Sequence, residues 1–513
     1  MATKSSGVRP PLVARPGIVF CLALVLLLPV QIYRVATSDS FSALPKPVGD
    51  GPDYENIAFH LWQGDGFRFN NSSSQWRRPY QRAIERTQAS RAAADELYSV
   101  HLAAARRDFL TTSRPPLLPT VIASIYAVTG RNESAFAAVR VFLAACLAMA
   151  GALATSSTAV VMRAVVCRAG LELSDQTRQS SVAIACAWGS CLAFCALNQT
   201  LSNYATDFLS EPIALVLLQS LVGLLVFALR RPTDSGGALV GRGMSIGTLV
   251  LSGVLLGLLI LTRSMFVLWL PFLWFLFASL LADDTVERGT PPARRFVGIR
   301  SATVVCLIAC LCCLPWWARN TWVLGTFQPL GTQGAITLLG GYCDAALQQG
   351  GEWQAEPEQS LRAELSKSEA LQAASNDSDR EQLVSQTAKR EVFGWLRAHV
   401  LDLPRLFAAR VYTHWNPYTG KSLFWKLACL GGLGILFWSV RAATDRRQQR
   451  LLRDYALMLG VPLVISTVVV AGLYSVGGRF LVPCYGILFT LSGLGVGGAV
   501  YLGSYGLFSA QRD

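Results

Sequence analysis

Residues 211–231 read EPIALVLLQSLVGLLVFALRR. One carboxylate, Glu211, opens an apolar run that stops only at Arg230 and Arg231. A hydrocarbon core of ~30 Å needs about 20 apolar residues per helix. Backbone facing lipid must satisfy its own hydrogen bonds, so a run of this kind reads as a membrane-crossing helix. Working outward from it, nine further runs lie near 17–37, 135–162, 181–198, 244–262, 265–282, 301–318, 422–440, 455–475 and 481–503. The 513 residues are 52% hydrophobic and 15% charged, with a mean hydropathy of +0.39, whereas soluble domains carry nearer ~25% charged residues. The predicted fold class is all-α: a polytopic membrane helix bundle of ten spans with two large outer-face loops that contain helices. The segment 115–130 is also apolar, but it is short and opens with Pro115 and Pro116. It reads as a half-inserted or surface helix; a full crossing there would flip every later orientation.

The charges give the bundle a direction. Cytoplasmic loops are rich in Lys and Arg. With the N-terminus inside, the cytoplasmic segments hold Lys4, Arg9 and Arg15, then Arg163, Arg168 and Arg178, then Arg230, Arg231 and Arg242. Arg288, Arg294, Arg295 and Arg300 follow, and then Arg441, Arg446, Arg447, Arg450 and Arg453. The short outer loops are poor in basic residues, so both ends lie inside. This distribution accounts for most of the formal charge of +13 without a nucleic-acid partner. The first span has the basic start and apolar stretch of a signal peptide. Gln31, Tyr33 and Arg34 interrupt its exit where a small-residue cleavage site would stand, so it reads as a retained helix. Most of the thirteen cysteines, among them Cys186, Cys191, Cys195, Cys306, Cys310, Cys312 and Cys313, fall inside spans and read as small apolar filler. Only Cys343 lies clearly in an outer loop, so no disulfide framework follows. Four histidines without Cys–His spacing give no zinc site.

The boundaries that result are 1–37 for the cytoplasmic N-terminus and first span, 38–134 for the first outer loop, 135–318 for spans two to seven, 319–421 for the second outer loop, and 422–513 for the last three spans and the cytoplasmic C-terminus. No internal repeat of the transporter kind is visible, and long loops confined to one face point to chemistry at that face. In the first loop, Ile57, Ala58, Leu61 and Trp62 recur at helical spacing and predict a short helix ending at Gly64 or Gly66. Residues 76–110 are rich in Arg and Ala and predict a second helix, its arginines resting on lipid headgroups or simply solvated. In the second loop, 352–390 reads as solvated helix. The stretch 390–417 is amphipathic, with aromatic residues near the re-entry point.

Several charged residues stand close to span ends. Asp50 and Asp53 follow the first span, and Arg114 precedes Pro115. Asp207 and Glu211 flank the start of the fourth span. Arg263 lies between the fifth and sixth, Arg319 ends the seventh, and Arg479 stands between the last two. Ionisable groups at membrane depth are costly and usually functional, although a single interfacial arginine can merely snorkel to headgroups. Glu211, beside Pro212 at the mouth of an apolar helix, has little structural use there. Carboxylates can act as general base toward an acceptor hydroxyl, and arginines can neutralise a phosphate leaving group through forked hydrogen bonds. The sequence singles out no cofactor, while a carboxylate pair is a donor set that could bind a divalent metal.

Five stretches carry a resemblance. DGPDYENIAFHLWQGDGF (50–67) looks like an acidic motif after a first span, and SRPPLLPTVIASIYAVTG (113–130) like an Arg/Lys-Pro-Pro segment. NYATDFLSEPIALVLL (203–218) looks like a second acidic motif at the head of a span, and PWWARNTWVLGTFQPLGTQG (315–334) like a Pro-Trp-x-x-Arg-Asn segment. GGRFLVPCYGILF (477–489) resembles a closing Arg-Tyr-x-x-Pro stretch. In that order the chain resembles the polytopic C-type glycosyltransferases that use polyprenyl-phosphate sugars, which include protein O-mannosyltransferases and lipid A aminoarabinose transferases. The resemblance runs along nearly the whole chain and rests on the order of motifs that are individually unspecific.

What it implies is an inverting hexosyl- or pentosyltransferase of the membrane. Such an enzyme moves a sugar from a polyprenyl-phosphate donor to a lipid, glycan or protein hydroxyl on the non-cytoplasmic side, in the inner membrane if the source is bacterial. By position, Asp50 matches the catalytic aspartate, with Asp53 its neighbour, and Glu211 matches the second acidic position. Arg114 matches a residue that contacts the donor phosphate, with Arg263, Arg319 and Arg479 as further phosphate ligands. Tyr54, His60 and Asp207 shape the site, or, for Tyr54 and His60, simply pack. The chain departs from the pattern in a longer stretch between Phe67 and Arg114, in Phe480 where Tyr is common, and in lacking an adjacent Asp–Glu pair in the first motif. A lipid-linked glycan flippase using the same arginines without bond cleavage is the alternative; it would have no need for Asp50 and Glu211. The sequons at Asn71, Asn132 and Asn376 are frequent by chance and decide nothing.

Overall fold

A computed structural model describes residues 15–45, 49–86, 108–166, 174–229, 245–280, 291–329, 331–372, 374, 377–416 and 423–509. It is an all-α bundle, and the chain is an integral, multi-pass membrane protein. Among the described residues seven helices are long and apolar enough to cross a membrane: Pro16–Ala36, Glu133–Val166, Gln179–Leu197, Glu211–Leu229, Val297–Leu324, Arg446–Gly472 and Arg479–Ser504. Ile246–Thr262 and Ser264–Leu280 are shorter apolar helices in the places of two predicted spans, and the 20-residue helix Leu423–Ala442 takes that of the eighth. The helix Leu117–Thr129 has 13 residues, a length of about 20 Å at ~1.5 Å per residue, too short for a ~30 Å core. Several of the arginines that orient the bundle, among them Arg168, Arg230, Arg231, Arg242 and Arg288, lie outside the described residues, as do Lys4, Arg9 and Asn376.

The centre of the bundle is the last helix, Tyr485–Ser509, on which Leu423–Ala442, Ser174–Leu197 and Glu133–Val166 pack. Small residues permit the close approach. A side chain at Gly495 would collide with the Ala428 carbonyl, and one at Gly432 with the Leu491 carbonyl. In lipid, where helices gain little from hiding apolar surface, such backbone contact supplies the association.

The long loops fold over one end of the bundle. The helix Gly51–Gln63 ends at Gly64, whose φ of 87° is the left-handed cap that a glycine accepts without strain. The stretch 76–110 differs from its prediction. Its start forms the helix Ser74–Arg86, and its middle lies outside the described residues. Its end, Asp108–Leu110, is a strand paired antiparallel with Arg68–Asn70, so that Phe69 faces Phe109. Three residues are too few for strand alternation to show against a helix-forming neighbourhood. The second loop is not merely solvated. Gln333–Gly341, Glu356–Ser366, Asp377–Ala398 and Leu403–Trp415 enclose a separate apolar core of Ile336, Leu339, Leu361, Val384, Val392 and Leu406. This subdomain is stitched to the turn before Arg479. The Tyr342 hydroxyl donates to the Gly472 carbonyl (2.5 Å), the Trp353 N–H donates to Ser475 (2.8 Å), and Glu352 accepts the Gly477 N–H (2.7 Å).

Candidate active site

Asp50 is the residue before the helix Gly51–Gln63, and Asp53 lies one turn along it. Residues three apart share a helix face, so both carboxylates point the same way. Gly51 is required between them and the bundle, because a Cβ there would meet the Asp207 carbonyl. Arg114 comes to this face from the strand Asp108–Leu110, held by the two prolines that follow it. Its Nη2 lies 2.8 Å from Asp50 and 2.6 Å from Asp53, and its Nη1 donates to Gln333 at 3.2 Å. Its guanidinium also stands 5.7 Å from the Tyr54 ring centre.

The other oxygen of Asp50 meets Arg479, whose Nη1 is 2.8 Å away, and the Nε of Arg479 pairs with Glu211. Glu211 is the first residue of its helix and is wholly buried. The same oxygen of Glu211 receives Arg263 at 2.5 Å, while its second oxygen has no partner among the described residues. Arg263 sits in the extended break between two apolar helices and stacks 5.1 Å from the Phe480 ring. The result is one alternating chain, Asp53–Arg114–Asp50–Arg479–Glu211–Arg263, with three negative and three positive charges. It is graded in access: the Asp50 and Asp53 side chains are 23% and 22% exposed, and that of Glu211 is 0% exposed. Solvent therefore reaches the two aspartates but not Glu211.

Burial opposes the ionisation of Asp50, yet Arg114 and Arg479 outweigh it and hold the carboxyl well below the usual carboxylate range. Burial likewise opposes the charge on Arg114, but Asp50 and Asp53 raise its pKa further. The Tyr54 phenol is raised, first by burial and then by the Asp50 charge. Among the described residues no three His, Cys, Asp or Glu side chains converge as a metal site. Guanidinium groups stand between the three carboxylates of the chain, so a divalent ion would have to displace one to gather two ligands.

Three predicted residues fall elsewhere. Arg319 gives its donors to the carbonyls of Thr111 (2.5 Å) and Phe67 (2.8 Å) and stacks on Phe67 and Trp316. It pins the two-stranded ribbon and is outside the alternating chain. His60 is buried between Asp65 (2.8 Å) and the Asn70 carbonyl (3.0 Å), closing the turn after its helix. Asp207 ends the short helix Thr200–Thr206, and its carbonyl abuts Gly51. Sequence reasoning missed Gln333, and it missed Tyr204 and Tyr474, which feel the charges of the cluster. It also missed Glu55, which is fully buried on the side of its helix away from Arg114. Glu55 binds Arg131 (2.7 and 3.2 Å), Trp76 (2.5 Å) and Tyr126 (3.1 Å). A carboxylate amid apolar helix positions was the one local sign of it.

No family model and no curated protein sequence matches the chain. Among solved structures it is similar to the oligosaccharyltransferase AglB from the archaeon Archaeoglobus fulgidus, in complex with an inhibitory peptide and a dolichol-phosphate. That match is at 12% identity and a TM-score of 0.45, covering 96% of this chain and 51% of that one. It is also similar to ArnT from Cupriavidus metallidurans bound to undecaprenyl phosphate, at 14% identity and a TM-score of 0.35, covering 93% and 77%. The chain spans about half the length of the archaeal oligosaccharyltransferase it matches.

Proposed function

We propose that the chain is a membrane glycosyltransferase that moves a sugar from a polyprenyl-phosphate donor to an acceptor hydroxyl, with inversion. The observation that carries this reading is the alternating chain of acids and arginines at one mouth of the bundle, open at Asp50 and closed at Glu211. An isolated phosphate ester cannot rest against carboxylates, but it can take over arginines that already stand charged and oriented. When the donor phosphate engages Arg479 and Arg114, Asp50 loses the charges that hold its proton affinity down and becomes a stronger base. Asp50 then accepts the acceptor's hydroxyl proton as the oxygen attacks the anomeric carbon. The bond from that carbon to the phosphate oxygen breaks, and polyprenyl phosphate leaves with its new charge on the arginines. Attack opposite the leaving group inverts the centre. Glu211 keeps Arg479 and Arg263 aligned throughout.

In this reading the loops 38–134 and 319–421 stand on the non-cytoplasmic side. The polyprenyl chain lies in the adjacent leaflet, and the acceptor is a lipid, glycan or protein hydroxyl. The donor assignment is tested by mass spectrometry of lipids that co-purify with the wild-type protein and with an Arg114→Gln, Arg479→Gln double variant. A polyprenyl phosphate is expected with the first and lost from the second. Its absence from both, after incubation with polyprenyl phosphate, would overturn the assignment.

A further inference from the structure

A second arginine system lies beneath the site. Arg140, on the helix Glu133–Val166, is fully buried. Its Nη1 donates to the carbonyls of Phe41 (3.0 Å) and Ala43 (2.6 Å), and its Nε donates to that of Thr206 (2.9 Å). The first two carbonyls belong to the segment that leads from the first span toward Asp50. The third belongs to the last residue of the short helix Thr200–Thr206, after which the chain turns to Glu211. The guanidinium also lies 4.7 Å from the Phe208 ring centre. Phe208, between Asp207 and Glu211, is the one non-glycine described residue with positive φ, at 54°. An aromatic residue holds the left-handed region only where its surroundings over-determine it. The two segments then touch directly at Gly51 and the Asp207 carbonyl.

We infer that Arg140 is a positioning residue that joins the Asp50 segment to the Glu211 segment and thereby sets the spacing that Arg479 bridges. Arginine suits the role because its planar fork serves acceptors on two segments at once, which a lysine ammonium does with less geometric control. The inference rests on the proposed transfer only for its catalytic consequence; the tie between the two segments stands apart from it.

Hydrogen exchange of purified protein tests the tie, comparing wild type with Arg140→Gln, Arg140→Lys and, as a control in the loop subdomain, Arg362→Gln. Arg140→Gln should raise exchange in peptides covering 39–45 and 203–211 together, by about tenfold or more, while the rest of the bundle keeps its protection. Arg140→Lys should give a smaller rise in the same two segments, and it carries the test if the glutamine variant fails to fold. A rise in only one segment, a rise in neither, or the same rise in the control overturns the inference. Sugar transfer is then measured per folded molecule. Displaced catalytic groups should lower kcat by roughly 100-fold with donor KM little changed. A loss confined to the amount of folded protein, at normal kcat, would reduce Arg140 to a structural role.

Discussion

The helix Gly51–Gln63 has two faces, and both use acid–arginine pairs to opposite ends. On one face Glu55 is saturated: Arg131 forks onto it, and Trp76 and Tyr126 complete its shell, all away from water. On the other face Asp50 and Asp53 share Arg114, Asp50 shares Arg479 with Glu211, and the aspartates keep about a fifth of their surface open. A closed shell leaves nothing for a substrate to bind. A chain of shared partners can be re-partitioned by one new anion, because Arg114 and Arg479 each already divide their donors between two acids. Connectivity and access, rather than the presence of buried ion pairs, separate a structural clamp from a candidate active site.

Substitutions on the two faces should separate them. Glu211→Gln should have the largest effect on stability. It leaves Arg263 and Arg479 buried beside a neutral amide, so stability should fall by about 3–5 kcal/mol. Transfer per folded molecule should fall roughly 100-fold as Arg479 drifts; thermal unfolding and a labelled-donor assay read the two. Glu55→Ala should cost stability alone, about 3 kcal/mol for an uncompensated Arg131. Normal transfer per folded molecule is expected, and a selective loss of kcat would erase the distinction between the faces. Arg114→Gln sharpens the contrast through pH. The Asp50 pKa is depressed in the folded protein, so its ionisation adds stability above about pH 4 that is lost as pH falls further. Removing one neighbouring cation should move the acid limb of kcat/KM upward by about one to three pH units; an unmoved limb would detach Arg114 from Asp50. Arg319→Gln should do least, costing about 1–2 kcal/mol for lost bonds to two carbonyls and leaving donor KM unchanged.

Much of the fold was legible because a span announces itself: twenty apolar residues have few other uses. Glu211 was legible for the complementary reason, as a charge at the mouth of such a run. Asp50, Arg114 and Arg479 could be named from local motifs, but not their pairing. Arg114 and Gln333 are 219 positions apart, and Arg479 and Glu211 are 268 apart. The place of Arg319 was not legible, because an interfacial arginine reads alike whether its donors meet a phosphate or, as here, the carbonyls of Thr111 and Phe67. Glu55 went unnoticed because its partner Arg131 lies 76 residues on, between two helices. Arg140 sits within an apolar helix whose sequence gives no hint of which carbonyls it will serve.

In the proposed reaction Asp50 takes the acceptor proton while the arginines hold the donor. It is tested most directly by single-turnover transfer from a labelled polyprenyl-phosphate sugar in proteoliposomes carrying wild type or Asp50→Asn. The expected result is a fall of about 10²–10⁴-fold in the transfer rate, with donor still bound and the fold intact. Transfer at the wild-type rate by Asp50→Asn would contradict it.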